Sequence, residues 1–128
     1  ICGDVAEISD KFDVVCAFEV VEHVDNLSQF LNLLKSKLKT NGIIILSTIH
    51  QTMFSYLAAI VWAEYVQKIV PKGTHDWKKF VKPSEIVAAL GINNCSLIDL
   101  QGYTYLPWRQ EWQFIESLKL NYFMTLQI

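Results

Sequence analysis

Two short, wholly apolar runs with an amphipathic stretch between them constrain this chain more than any other feature. Val14, Val15, Cys16, Ala17 and Phe18 form the first run; Ile43, Ile44, Ile45 and Leu46 form the second. Runs of this length, rich in β-branched residues and without polar alternation, read as strands buried on both faces. Cys16, inside the first, is expected to be core packing. Between the runs, Leu27, Phe30, Leu31, Leu34 and Leu38 recur at helical spacing with polar residues in the gaps, which predicts an amphipathic helix. Asp25 or Asn26 is placed to cap its start, and Asn41-Gly42 to stop it. Strand, crossover helix and strand together predict a βαβ unit in a parallel sheet.

Beyond that unit, MFSYLAAIVWAEYVQKIV is apolar and aromatic, interrupted only by Ser55, Glu64, Gln67 and Lys68. It is too short and too interrupted for a transmembrane helix. Two readings stay open for Met53 to Val70. One is a helix buried in the core or in a dimer contact. The other is a helix lying in a membrane surface, with Tyr56, Trp62 and Tyr65 at headgroup depth and nearby lysines meeting anionic lipid. A turn-rich connection, PKGTHDWKKFVKPSE, leads to a short helix around Ile86 to Leu90 with Gly91 as its stop. Strands are expected at Ser96–Leu100 and Tyr122–Ile128, with the aromatic stretch YTYLPWRQEWQF between them as a loop. No repeat, linker or low-complexity tract divides residues 1–128, so a single domain is expected.

Composition narrows the function. With 52% apolar and 19% charged residues the chain is a folding sequence. A formal charge of −2 gives no broad basic field and argues against nucleic acid as a partner. Lys35, Lys37 and Lys39, and Lys78, Lys79 and Lys82, read as solvated helix faces. Three cysteines without CxxC spacing argue against a disulfide framework and a structural zinc site. The opening ICGDVAEI lacks the features of a signal or transit peptide and reads as the middle of something longer. The five glycines are isolated, so the usual glycine cradle for a nucleotide-like cofactor is not in this chain.

The chemistry-bearing stretch is FEVVEHV, Phe18 to Val24, directly after the first strand. In doubly wound sheets, ligands bind beyond the carboxyl ends of the strands. If the backbone turns helically here, Glu19, Glu22 and His23 project from one face. Two carboxylates and an imidazole can hold Mg²⁺ or another divalent cation. Equally, the glutamates can serve a helix N-terminus while His23 packs at the sheet edge. His75 beside Asp76 is either an acid–base pair or a hydrogen-bonded turn residue.

FDVVCAFEVVEHV, the helix after it and LKTNGIIILSTI resemble the central part of Rossmann-like class I S-adenosylmethionine (SAM) methyltransferases. AEYVQKIVPKGTHDWKKFVKPSE is narrower and resembles the ubiquinone-biosynthesis O-methyltransferases. LNYFMTLQI is similar to that family's last strand. The resemblance covers almost all of the chain and implies an α/β fold: the C-terminal portion of the methyltransferase sheet, with a helical insertion at residues 51–83 after the second strand. It implies SAM-dependent O-methylation of polyprenylated catechols and of 3-demethylubiquinol. It implies SAM contacts at Phe18 and, from CGDVAEI, at Asp4 and Val5. It implies a divalent metal, Mg²⁺ or another, on Glu19, Glu22 and His23, with His23 as ligand or as catalytic base. A prenylated substrate and the membrane surface, met through residues 53–80, are the implied partners, with other ubiquinone-biosynthesis proteins. The implied location is peripheral: the matrix side of the mitochondrial inner membrane, or the cytoplasmic side of a bacterial inner membrane. The family's glycine loop lies upstream of Ile1, so the chain is expected to be an N-terminally truncated piece. The competing readings are a non-catalytic, membrane-associated protein of the same fold and another small-molecule SAM methyltransferase.

Overall fold

The computed structural model describes residues 3–51, 80–106 and 108–128. The expected βαβ unit is present. Strand β1 (Phe12–Phe18) pairs in parallel with β2 (Leu38–Ile49), joined through helix α1 (Leu27–Ser36). Asn26 caps α1, its side chain accepting from the Gln29 amide at 3.0 Å. The helix ends earlier than its apolar spacing suggests. Lys37 closes it, and Leu38, the last member of the stripe, already opens β2. Asn41-Gly42 does not stop the helix but lies inside β2. There Asn41 takes a left-handed φ of 60°, near the register shift between Phe12 and Val14. A bulge that re-aims a strand and a turn that ends a helix use the same residues.

Helix α2 (Pro83–Leu90) has proline in its first turn and ends at Gly91, whose φ of 84° suits a residue without a Cβ. Strands β3 (Ser96–Leu106), β4 (Glu111–Ile115) and β5 (Asn121–Gln127) complete a sheet of order β1-β2-β5-β3-β4. Past β2 every pairing is antiparallel. The stretch expected as an aromatic loop is instead the end of β3, a turn and most of β4, with Tyr103 opposite Phe114 and Tyr105 opposite Trp112. Aromatic residues spaced two apart on facing strands pair across the ladder, and such pairs stabilise a hairpin.

One face of the sheet packs under both helices. Ala17, Ile44, Leu46, Tyr122, Met124 and Leu126 meet Leu31 and Leu34 of α1 and Ile86 and Leu90 of α2. The expectation of a first strand buried on both faces fails: Val14 is 46% exposed and Cys16 is exposed, so Cys16 is not core packing. The sheet's second face carries Phe18, Ser47, Phe123 and Tyr103. Met53 to Val70, His75 and the whole PKGTHDW connection lie outside the described residues. Among the described residues no helix is long and apolar enough to cross a membrane.

Candidate functional site

Past Phe18 the chain leaves β1 at its carboxyl end and turns sharply. Glu19 has a φ of 53°, a left-handed conformation that is costly for a residue with a Cβ. Its amide donates to the Ser47 carbonyl at 2.9 Å and lies 3.2 Å from the Ser47 hydroxyl, which ties the strained turn to β2. The Ser47 hydroxyl donates to Glu19 Oε1 at 2.9 Å, and the Tyr103 phenol donates to the same oxygen at 2.5 Å. Three strands, β1, β2 and β3, thus converge on one carboxylate.

Glu22 points elsewhere. A single 3₁₀ turn, Val21–His23, carries it into the interior, where it is 5% exposed. Its Oε2 accepts from Thr48 Oγ1 at 2.7 Å. Burial raises the Glu22 carboxyl above its ordinary range; the Thr48 hydrogen bond opposes this, Glu19 adds to it and His23 lowers it. His23 ends the turn exposed to solvent. Neighbouring β2 residues, Ser47 and Thr48, therefore receive the two carboxylates separately, because successive strand side chains point to opposite faces. The helical projection of Glu19, Glu22 and His23 from one face does not form. Glu19 stands before the turn, in a backbone conformation no helix uses. Among the described residues no three His, Cys, Asp or Glu side chains gather to hold a metal. As placed, these residues do not fit a divalent cation: one carboxylate is buried on a threonine and the other is held by two hydroxyls.

What the second face does form is an apolar cavity of about 480 Å³. Phe18, Ile49, Tyr103, Trp112, Phe114 and Phe123 line it, with Glu19 and Ser47 among its few polar members. The rings interlock. Phe18 and Phe114 each meet Phe123 near edge-on at 5.7 Å, and Tyr103 lies 4.7 Å from Phe123 and 5.5 Å from Trp112. Burial first, then the Glu19 carboxylate, pushes the Tyr103 phenol well above the ordinary phenolic range, so it stays a donor. Concave, aromatic and supplied with one carboxylate, the cavity has the makeup of a small-molecule site.

Phe18, at the carboxyl end of β1, lines this cavity. Asp4 lies apart, its carboxylate accepting from the Ala6 amide at 2.8 Å, while Val5 packs against the core. Neither they nor His23 line the cavity. Sequence reasoning missed Ser47, Tyr103, Trp112 and Phe114. The alternating aromatics of YTY and WQF were the available signal, because period-two spacing marks one face of a strand.

A methyltransferase-domain family model matches residues 4–100. The chain is 44% identical over 118 residues to the mitochondrial ubiquinone biosynthesis O-methyltransferase of Dictyostelium discoideum, covering 92% of this chain and 37% of that protein. It is 45% identical to the ubiquinone biosynthesis O-methyltransferase of Rickettsia felis (92% and 49%) and 40% identical to that of Azorhizobium caulinodans (95% and 48%). The chain thus spans about half the length of the curated relatives it matches, or less. Among solved structures it is similar to magnesium protoporphyrin IX methyltransferase from Synechocystis with bound S-adenosylhomocysteine. There the TM-score is 0.61 at 18% identity, over 98% of this chain and 48% of that one. A SAM-dependent methyltransferase from Thermotoga maritima, described as a possible histamine N-methyltransferase, gives 0.60 at 12% identity over 98% and 61%. At these identities the likeness shows the fold: part of a Rossmann-like SAM-methyltransferase sheet.

Proposed function

Because the chain belongs to the methyltransferase-domain family, we propose that it serves the SAM-dependent O-methylation of polyprenylated catechols and of 3-demethylubiquinol in ubiquinone biosynthesis. The names of its relatives support the pathway. The observation that carries the reading is the aromatic cavity at the carboxyl ends of β1 and β2, holding the Glu19 carboxylate.

SAM, when bound, supplies an electrophilic methyl group. The protein's rings fit its sulfonium, since aromatic faces attract cations, and Phe18 at the strand end is the residue assigned to it, with Asp4 and Val5 on the adenosine side. A catechol hydroxyl is weakly nucleophilic while protonated, with an ordinary pKa near 10. The apolar rings hold the catechol ring, and Glu19 accepts a hydrogen bond from its hydroxyl, raising electron density on the attacking oxygen. Enclosure orients the oxygen toward the methyl and excludes water. The resemblance offers His23 as metal ligand or as base; it stands outside the cavity, so it would have to turn toward the hydroxyl to take the phenolic proton. Mg²⁺ on Glu19, Glu22 and His23 would require both carboxylates to leave their present partners, so no step is routed through it. Peripheral membrane association through residues 53–80, suited to a prenyl tail, completes the proposal and rests on sequence; the inner-membrane location and other ubiquinone-biosynthesis partners rest on the resemblance.

Adding SAM to isotopically labelled chain tests the cofactor assignment. Saturable amide shifts are expected, largest at Phe18 and at Asp4–Val5. Saturable binding that leaves Phe18 unmoved would overturn its role, and no binding by the folded chain would overturn the reading that these residues hold SAM by themselves.

A further inference from the structure

We propose that Tyr103 is a positioning residue for the acceptor: with Ser47 it fixes one oxygen of Glu19, leaving the other to receive a hydroxyl of an aromatic ligand. This deepens the reading of the cavity as an acceptor site and rests on it.

Three observations carry the assignment. First, both donors reach the same atom. Ser47 Oγ lies 2.9 Å and Tyr103 Oη 2.5 Å from Glu19 Oε1, and among the described residues no donor bonds Oε2. A carboxylate offers about four acceptor sites, so capacity remains on an oxygen held in a fixed orientation beside an apolar cavity. Second, the arrangement is costly. Glu19 is exposed and sits at a φ of 53°. The two donors that hold it come from a buried residue, Ser47, and a half-buried one, Tyr103. Strain kept at an exposed carboxylate is the pattern of a functional group, not of a structural one. Third, the Tyr103 ring is located without its hydroxyl. It packs at 4.7 Å on Phe123 and 5.5 Å on Trp112, and its backbone pairs with Phe114 and Asn121. The phenol can thus be removed while the ring stays.

The ligand class follows from this geometry. The rings accept a flat apolar body, and the free carboxylate oxygen selects a hydroxyl donor over an ether at the same place. Glu19 touches the ligand; Tyr103 acts through Glu19.

Catechol and 1,2-dimethoxybenzene, titrated separately into the 128-residue chain, separate these roles. Catechol should bind about tenfold tighter, the worth of a hydrogen bond to a charged acceptor. Tyr103→Phe should weaken catechol alone and bring the ratio toward one. A variant that weakens both probes equally, or leaves the ratio unchanged, overturns the positioning role while the acceptor cavity stands. Failure of both probes to bind the wild-type chain overturns the cavity reading and this inference together. Should Tyr103→Phe lose its fold, the wild-type chain carries the test through the ¹³C resonance of the Glu19 carboxyl. Catechol should move it and dimethoxybenzene should not; equal shifts from both overturn the proposal.

Discussion

Gly102→Ala is expected to cost about 3 kcal/mol of folding stability, at the upper end of overpacking penalties, read as a lowered denaturation midpoint. Gly102 sits in β3 between Tyr122 of β5 and Ile115 of β4. A methyl group there would fall on the Ser117 carbonyl, with the Ser117 carbonyl carbon at 2.8 Å and the Ile115 oxygen at 3.1 Å. These are backbone atoms, so no rotamer change relieves the clash. The β4 strand or the chain after it must move, and β4 carries Trp112 and Phe114 into the cavity. The variant should therefore lose ring packing at the site along with stability. A midpoint within error of wild type would show that the close approach is not part of the folded state.

Thr48→Val should cost nearly as much, about 2–3 kcal/mol near neutral pH, because it strips a buried carboxylate of its donor without changing shape. Thr48 is fully buried and its hydroxyl donates to Glu22 Oε2 at 2.7 Å. Burial raises the folded Glu22 above its ordinary 4.5, so the folded state binds the proton more readily than the unfolded chain does. The stability from this group is fully present below pH 4.5 and is lost as pH rises through the raised folded value. Removing the threonine donor, which opposes that rise, enlarges the loss at neutral pH and leaves the protonated form little changed. The difference between variant and wild type should thus be large at about pH 7 and small at about pH 4. Equal destabilisation at both would place the effect in packing and not in the carboxylate.

The parts legible in the sequence were those governed by periodicity. The leucine stripe of α1 and the apolar runs at Val14–Phe18 and Ile43–Leu46 gave the βαβ unit, and Asn26 and Gly91 marked helix ends correctly. What periodicity could not supply was the partner of each face. Val14 and Cys16 are apolar yet lie toward the sheet's open side. An edge strand reads like a central one when both faces carry apolar residues. The site divided in the same way. FEVVEHV was recognisable as a strand exit bearing chemistry, and Phe18 and Glu19 do line the cavity. The i, i+3, i+4 spacing suggested one helical face, but a single left-handed residue, Glu19, separates the two carboxylates. No spacing rule anticipates a positive φ at glutamate. Tyr103 comes 84 positions after Glu19, and the successive pairings β1–β2, β2–β5 and β5–β3 bring them together.

The central proposal is that the chain serves methyl transfer to a hydroxylated ring carrying a prenyl tail. Incubating the chain with methyl-labelled SAM and either a prenylated dihydroxybenzoate or its tail-free analogue tests it most directly. The account predicts a labelled monomethyl ether from both phenols, formed faster from the prenylated one. SAM binding without label in either ether would contradict it.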